Sequence, residues 1–568
     1  MPFSLLRLSS TYRRNINRLS QVIYVFIKYG FGHVIDQIRL HRFIPLRKRL
    51  KVFGQWPAVK GPTVPERLRM AFAELGPSFI KLAQLLSARP DLITTQFANE
   101  FKKLQDKVPP FQVAEAKRII EEETHLAIDK IFSDFRDEPI AAASIAQVHH
   151  GTLIDGSDVI IKVQRPNITE QIETDINILT TIAQLMNKHM PESRFFNPTG
   201  IVEEFSKTIR KELDFSEEAK NCCRFKKHFE DNPNIYIPKV YGEFVTEKIL
   251  IMERIDGVRI DDINAIEAMG LDRKELAKIG VDAYFKMVLE DGFFHADPHP
   301  GNIFAMPTGQ IGFMDFGIVG KVTDEMKETM ANTFLAIMNK DFDRLIDQYI
   351  ELGLVPEEVD LLAFRKEFKA DLADFLEPLY GLTLKEINFA EYMDIITHLA
   401  MKHNMKIPSD LLLVNKAMMI LENIGRELDP NFDFTAAAEP YASKLVREKL
   451  SPSKIYEKVR KNIEEAGDFV VLFPRQMKQI IRKILKDDIH VKMYHVNLPE
   501  FIKDMDKSTN RIAFAMIVSA MIISSAIMHA TGVQPKIFGF SFLGLSAFAF
   551  AFFLGIWLLI SIIRSGRL

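Results

Sequence analysis

The sequence predicts an α+β chain that becomes helical towards its C-terminal part. Three observations carry that expectation. Short β-rich runs bounded by glycine and proline turns fall at 159–166, 249–257 and 303–314. Segments with apolar residues at helical spacing precede and separate them, and 324–510 is mostly helical in pattern, with breaks near 353–356, 407–409 and 428–440. Two apolar runs, Ile512–Ala530 and Ile537–Ile563, have the length, about 20 residues or more, that spans a hydrocarbon core.

At 568 residues the chain exceeds one ordinary domain. Its net charge of −2 gives no bulk attraction to nucleic acid, and none is expected as a partner. The only cysteines, Cys222 and Cys223, are adjacent, which suits a reducing compartment better than a disulfide framework. The first residues lack an apolar core followed by a small-residue cleavage site, so no secretory signal is expected.

Residues 1–60 carry twelve Lys or Arg against one acid, Asp36. Within them Ile16–Ile38 reads as an apolar-faced helix. Such a helix suits an anionic membrane surface, or docking on the protein with its cations solvated. Thr63-Val-Pro-Glu66 reads as a capping box that opens a helix. Further on, Phe79, Ile80, Leu82, Leu85 and Leu86 make one helical face, while Lys81 and Gln84, three apart, lie side by side.

Residues 139–151 are alanine-rich, Pro-Ile-Ala-Ala-Ala-Ser-Ile-Ala-Gln-Val-His-His-Gly, and lead to Val159-Ile-Ile-Lys-Val-Gln-Arg-Pro166. A lysine in the middle of such a strand is out of place unless it reaches into a site. Helical segments follow at Glu170–Lys188 and Gly200–His228. The second carries Glu212, Asp214, Glu217 and Glu218, one of which can pair with Lys162. Ile249–Met252 is an apolar strand that ends at Glu253 and a polar, glycine-containing turn, and a helix near Arg273–Glu290 comes next.

The stretch His295–Gly317 is the densest in chemistry. Asp297 lies five residues before Asn302, and Asp315 thirteen after it. The apolar runs Ile303–Met306 and Ile311–Met314, joined by Pro-Thr-Gly-Gln, read as a hairpin with an acidic loop at each end. Two carboxylates and an amide held close are what Mg²⁺ and a nucleoside triphosphate need: few hard oxygen ligands, with room for phosphate oxygens. The pattern H-x-D-x-x-x-x-N followed by D-F-G matches the catalytic and metal loops of protein kinases. In that frame Lys162 is the strand lysine that contacts phosphates, and the strand ending at Glu253 is the hinge that holds adenine. The alanine-rich loop stands where a glycine-rich phosphate loop is usual. Alanine lacks glycine's freedom at positive φ, and its Cβ limits close backbone approach. No A-P-E motif follows the D-F-G.

Lys503, Lys507 and Arg511 precede the apolar pair, Arg564 and Arg567 follow it, and Lys536 alone lies between. The positive-inside rule then expects a transmembrane helical hairpin with both ends, and the large domain, on the cytoplasmic side.

Taken together, these pieces resemble the UbiB family of atypical protein-kinase-like proteins. The matching segments are Phe79–Leu92, Ala141–His149, Val159–Pro166, Glu212-Leu-Asp214 with Asn221, His295–Asn302 and Asp315–Gly317, in family order across about residues 60–330. The family's K-x-G-Q signature stands here as Lys81-Leu82-Ala83-Gln84, with alanine for glycine.

The resemblance implies an atypical protein-kinase-like bilobal fold. Its parts would be a basic amphipathic N-terminal region (1–60), an N-terminal helical extension (61–135), a smaller lobe (136–255), a larger lobe with a helical region (256–500), and two transmembrane helices (511–563). It implies ATP and Mg²⁺ as ligands. Lys162 would contact phosphates and pair with Glu218, Asp297 would take the catalytic-base position, and Asn302 and Asp315 would hold Mg²⁺. Ala141, Ala142, Ala143, Ser144, Ile145, Ala146, Gln147 and Val148 would line the nucleotide, with Glu253 at the hinge. Lys81 and Gln84 would fold over the site onto Glu212 and Asp214 and exclude a protein substrate. The family is linked to ubiquinone biosynthesis, ATPase activity and membrane lipids. The two C-terminal spans look like its bacterial branch, which implies the inner (cytoplasmic) membrane and, as partners, quinone precursors and quinone-biosynthesis enzymes. Two other readings stay open: a true phosphotransferase on a protein or small molecule, and a non-catalytic nucleotide-sensing scaffold, against which the complete set Lys162, Asp297, Asn302 and Asp315 argues.

Overall fold

A computed structural model describes residues 3–40, 61–377 with short gaps, parts of 398–460, and 498–564 but for three positions. Residues 485–497, whose sequence reads as an extended linker, lie outside the described residues. The chain forms two compact units, Met1–Glu457 and Lys458–Leu568.

In the first unit, helix α1 (Phe3–Lys28) is docked on the protein through Val22, Ile23, Val25 and Ile27. Arg18 grips the fully buried Asp175 with Nε at 2.7 Å and Nη2 at 2.9 Å, and Ser78 Oγ donates to the same carboxylate at 2.6 Å. A buried carboxylate held by a guanidinium and a hydroxyl has its desolvation offset by charge-assisted hydrogen bonds. Helix α2 (Val64–Leu75) starts on the expected capping box: the Thr63 amide donates to Glu66 Oε2 at 2.7 Å, and the Glu66 amide donates to Thr63 Oγ1 at 3.5 Å. Helix α3 (Pro77–Ser87) buries Phe79, Ile80, Leu82 and Ala83.

A five-stranded sheet follows, beyond helix α4 (Val113–Thr124). Its strands are β1 (Phe132–Phe135), β2 (Ala141–Ala142), β3 (Ala146–Leu153), β4 (Asp158–Gln164) and β6 (Ile249–Glu253), with order β1-β3-β4-β6 and β2 paired to β3. β1 comes from the end of the segment assigned above to the helical extension. On one face, Val159, Ile161 and Val163 pack with Ile249 and Ile251 against Ala116, Ile119 and Ile120 of α4. On the other, Leu250 and Met252 pack towards Phe215 and Ala219.

Helix α5 (Ile168–His189) precedes α6 (Pro198–Leu213) and α7 (Phe215–His228). The sequence pattern runs through 200–228 as one helix, but the structure breaks it at Asp214. That residue takes an extended backbone (φ −98°, ψ 95°), and its carboxylate accepts from the Ser216 amide at 3.0 Å. An N-capping aspartate competes with helical hydrogen bonding, so it starts a new helix in a new direction.

The second sheet orders β5 (Ile235–Tyr236), β10 (Ile311–Phe313), β9 (Ile303–Ala305) and β7 (Val258–Arg259). β9 and β10 are the expected hairpin, antiparallel with Ile311 opposite Ala305. A ribbon of β8 (Phe293–His295) and β11 (Val319–Lys321) flanks it. Helix α8 (Arg273–Phe285) and helix α9 (Ser409–Leu428) share this core. α9 buries Val414, Ala417, Met418, Leu421, Ile424 and Leu428, a stripe at helical spacing.

In the second unit, α10 (Leu498–Ala530) and α11 (Phe542–Arg564) are both long and apolar enough to cross a membrane. The second helix begins at Phe542, later than the apolar run suggests, because Lys536–Ile537 and Phe540–Ser541 pair as a short antiparallel ribbon. The helices meet where Ser525 Oγ donates to the Gly544 carbonyl at 2.6 Å. A Cβ on Gly544 would come within 3.2 Å of the Ser525 carbonyl, so a small residue permits this approach. Most other large side chains of the pair, such as Ile512, Phe553 and Trp557, are exposed.

Candidate active site

Strand alternation decides where Lys162 points. Val159, Ile161 and Val163 are fully buried on one face of β4, so Lys162 takes the other. Helix α7 faces it, and the break at Asp214 places Glu218 in the first turn of that helix. Lys162 Nζ donates to Glu218 Oε2 at 2.7 Å and lies 3.8 Å from Asp315 Oδ1. The four candidate partners for this lysine therefore reduce to Glu218, with Asp315 from a remote loop as the second carboxylate.

Asp315 sits in the left-handed region at φ +58°, which aims its side chain back across the loop. Phe316 is fully buried behind it, against Phe225 of α7 at 5.1 Å between ring centroids and His295 at 5.7 Å. Asn221 Nδ2 donates to the Phe316 carbonyl at 3.0 Å, so α7 holds both sides of the D-F-G turn.

The electrostatics couple these three groups. Burial pulls the Lys162 ammonium down, but Asp315 and then Glu218 outweigh it and hold the ammonium well above its ordinary value. Burial pushes the Glu218 carboxyl up, with Lys162 opposing. Lys162 is the main cause that holds Asp315 below the usual carboxylate range; desolvation opposes, and Lys81 assists. Asp315 is recessed among protein atoms yet keeps 53% of its side-chain surface, so a cation can reach it.

His295 pins the second loop. It has no exposed surface; its Nδ1 accepts from the Asp297 amide at 3.2 Å, so its Nε2 is the donor to the Met314 carbonyl at 2.9 Å. An amide only donates and a carbonyl only accepts, so the ring is the neutral Nε2–H tautomer. Asn302 Nδ2 donates to the Asp297 carbonyl at 3.1 Å, which leaves Asn302 Oδ1 to offer a cation. The described residues contain no cluster of three or more His, Cys, Asp or Glu set to hold a metal. One amide and one carboxylate oxygen, as Asn302 and Asp315 would offer, suit Mg²⁺, which keeps most of its shell for phosphate and water.

The alanine-rich loop is a tight hairpin, Ala141 opposite Val148 and Ala142 opposite Gln147, closed by the Ala143 amide on the Ala146 carbonyl at 2.8 Å. None of Ala141 to Val148 has positive φ. Arg165, which the sequence pattern did not single out, holds the loop: Nε donates to the Ala143 carbonyl at 2.7 Å, and its amide to the Ile145 carbonyl at 2.9 Å. Ile145 and Ala146 are buried, and the Gln147 side chain accepts from the Phe111 amide at 2.9 Å and contacts His149 Nε2 at 2.8 Å. Ser144 differs: its Oγ is buried with no hydrogen-bond partner among the described residues. A buried hydroxyl without a partner costs free energy that a bound acceptor such as phosphate would relieve.

Other expected residues have defined places. The Glu253 amide donates to the Lys239 carbonyl at 2.8 Å, and its carboxylate accepts from the Lys239 amide at 3.0 Å. Lys81 forms an ion pair with Glu212, both largely buried at 14% and 18% side-chain exposure. Gln84 is half-buried one turn further along α3, and Ala83 is wholly buried, so its extra methyl sits in the apolar core. Asp214 caps α7 as described. A further residue joins the site from far away in sequence: Lys416 Nζ of α9 donates to Asp297 Oδ1 at 2.9 Å.

A lysine–glutamate pair between sheet and helix, a D-F-G turn beneath it, and an Asp–Asn loop beside it define a protein-kinase-like fold. Comparison with known proteins refines this. Residues 103–349 match the ABC1 atypical kinase-like domain, 372–433 the UbiB helical domain, and 496–564 the ABC1/UbiB kinase-like C-terminal domain. A probable protein kinase UbiB of Vibrio cholerae is 32% identical, over 93% of this chain and 97% of its own length. One of Pseudomonas aeruginosa is 38% identical over 79% and 85%. A Clostridium pasteurianum protein, described as uncharacterized and lying in the hydrogenase 1 5′ region, is 32% identical over 98% and 100%. The chain belongs to the ABC1/UbiB family of atypical kinase-like proteins.

Proposed function

We propose that this protein is a membrane-anchored atypical kinase/ATPase that supports ubiquinone (isoprenoid quinone) biosynthesis, with Mg-ATP held between its two lobes. The observation that carries this reading is the closed set Lys162–Glu218–Asp315, with Asn302 and Asp297 on the neighbouring loop. Lys162 binds and orients phosphates, and Glu218 holds its ammonium in place. Asn302 and Asp315 hold Mg²⁺, which neutralises phosphate charge. Asp297 accepts the proton of the attacking oxygen. Ser144 and the alanine-rich backbone line the phosphates, and Glu253 meets the base at the hinge. The test is phosphate release by the purified full-length protein, with and without liposomes and quinone-like lipids, beside a search for any phosphorylated product. Nucleotide-independent behaviour in every arm would overturn the reading.

The Lys81–Glu212 pair supports a cover over this site that excludes a protein acceptor, a cover to which Gln84 and Asp214 would also contribute. Lys81→Ala leaves a largely buried carboxylate without its cation. We expect Mg-nucleotide affinity to change by a factor of about 5 or more, the lower end of ordinary site-to-site coupling, and self-phosphorylation to emerge. Affinity, release and incorporated phosphate all equal to the parent would leave Lys81 a structural partner of Glu212 with no part in the site.

The apolar faces of α10 and α11 support anchoring in the inner membrane, with the flanking Lys and Arg on the cytoplasmic side and membrane lipids as partners. Residues 1–510 should then be released from membranes by salt or alkali. If that truncation resists both, another segment anchors the chain.

A further inference from the structure

Asp297 does not stand alone. Its Oδ1 accepts from Lys416 Nζ at 2.9 Å, and Lys416 lies 119 residues further along the chain. The loop cannot supply such a cation. Between Asp297 and Asn302 lie Pro298, His299, Pro300 and Gly301, and the His299 Nδ1 is occupied as acceptor for the Gly301 amide at 3.1 Å. His295 is the neutral tautomer and meets Asp297 at its amide, not at its carboxylate. The carboxylate's cation therefore comes from α9, in the helical domain that follows the kinase-like one.

The helix is built to place it. Val414, Ala417, Met418 and Leu421 lock α9 into the core that also holds Phe293, Phe294 and Ile303 around the Asp297 loop. Asp410, at the start of α9, accepts from the Lys321 amide at 3.5 Å, which ties that end to the strand after the D-F-G turn. Leu413 and Ile420, three before and four after Lys416, are half-buried on the same side. The lysine stem thus runs along an apolar edge while its head, 40% exposed in side chain, reaches the carboxylate.

Resting on the reading of Asp297 as the base, we propose that Lys416 is the positioning residue of that base, so that the kinase-like site is complete only with α9 in place. The ammonium occupies Oδ1 and fixes the plane of the carboxylate. Oδ2 is left to take the proton from the attacking water or hydroxyl, as that oxygen bonds the terminal phosphorus and ADP leaves with the electron pair of the broken bond. A fixed carboxylate loses no orientational freedom on reaching the transition state, so the effect falls on turnover and not on nucleotide binding.

Phosphate release by the full-length protein in liposomes tests this, with Lys416→Met, Lys416→Arg, Asp297→Asn and the Asp297→Asn/Lys416→Met pair. The expected result for Lys416→Met is a fall in kcat of roughly tenfold or more with KM for Mg-ATP unchanged. Lys416→Arg should restore most of it. In the Asp297→Asn background, Lys416→Met should add nothing, and the two changes should also be non-additive in melting temperature. Parent kcat in Lys416→Met overturns the proposal, and so does a change in KM alone, additivity with Asp297→Asn, or equal failure of the arginine variant. A rise in turnover overturns it too, since the contact would then block the base. If Asp297→Asn itself turns over like the parent, the reading of the base fails and this inference falls with it; if only Lys416→Met does, the base stands and this inference alone fails.

Discussion

Asp315→Asn will lose Mg²⁺-dependent nucleotide turnover, by roughly 10²–10³-fold, while the protein stays folded. The loss follows from charge. In the proposed metal site Asp315 is the acidic one of two oxygen ligands, with Asn302, and a neutral amide is a weaker ligand for a hard cation. The fold survives for three reasons. Asparagine tolerates the left-handed φ of +58° about as well as aspartate does. Its Oδ1 can still accept from the Gly317 amide, now at 3.4 Å. Lys162 keeps Glu218 as its buried partner at 2.7 Å. Nucleotide binding with and without Mg²⁺, phosphate release and a melting curve check all three points. Parent-like Mg-ATP affinity and hydrolysis would remove Asp315 from the metal site.

Lys162→Met should damage stability as well as activity. The Glu218 side chain is 6% exposed, and Lys162 is its partner inside the protein. Breaking a buried pair by removing one member typically costs ~3–5 kcal/mol, because the other charge is left uncompensated. The cost depends on pH, and the sign follows from Glu218. Burial already raises its carboxyl above the ordinary value, and Lys162 is the opposing influence that the variant lacks. A carboxyl whose folded pKa lies above its unfolded one binds protons more readily when folded. Its stabilising contribution is therefore present at low pH and lost as pH rises through the folded value. The variant should be closest to the parent at acidic pH and fall progressively further behind it as pH rises, by denaturant melts of the detergent-solubilised protein. A deficit that does not change with pH would mean that Glu218 stays charged without the lysine.

Much of this protein is legible from local pattern. The capping box at Thr63 and Glu66, the hairpin at 303–313 and the burial of alternate residues in β4 follow from short-range rules about hydrogen bonds and period. So does the pair of apolar helices, because spanning length is counted in consecutive residues. Asp297, Asn302 and Asp315 stand out because kinase-like chemistry crowds them into one hairpin.

Other features have no local signature. By residue pattern alone the four acids in 212–218 are equal candidates for Lys162, and only the family resemblance singles out Glu218; in the structure that choice depends on a helix break at Asp214 that helical periodicity runs straight through. Arg165 lies in a strand-end run that resembles many others, yet it closes the alanine-rich loop. Lys416 is one lysine on an amphipathic helix, indistinguishable in sequence from a solvated one, until core packing sets α9 beside Asp297. Local pattern records what a residue does with neighbours a few positions away; a contact across 119 residues is settled by how whole helices and sheets bury their apolar faces against each other.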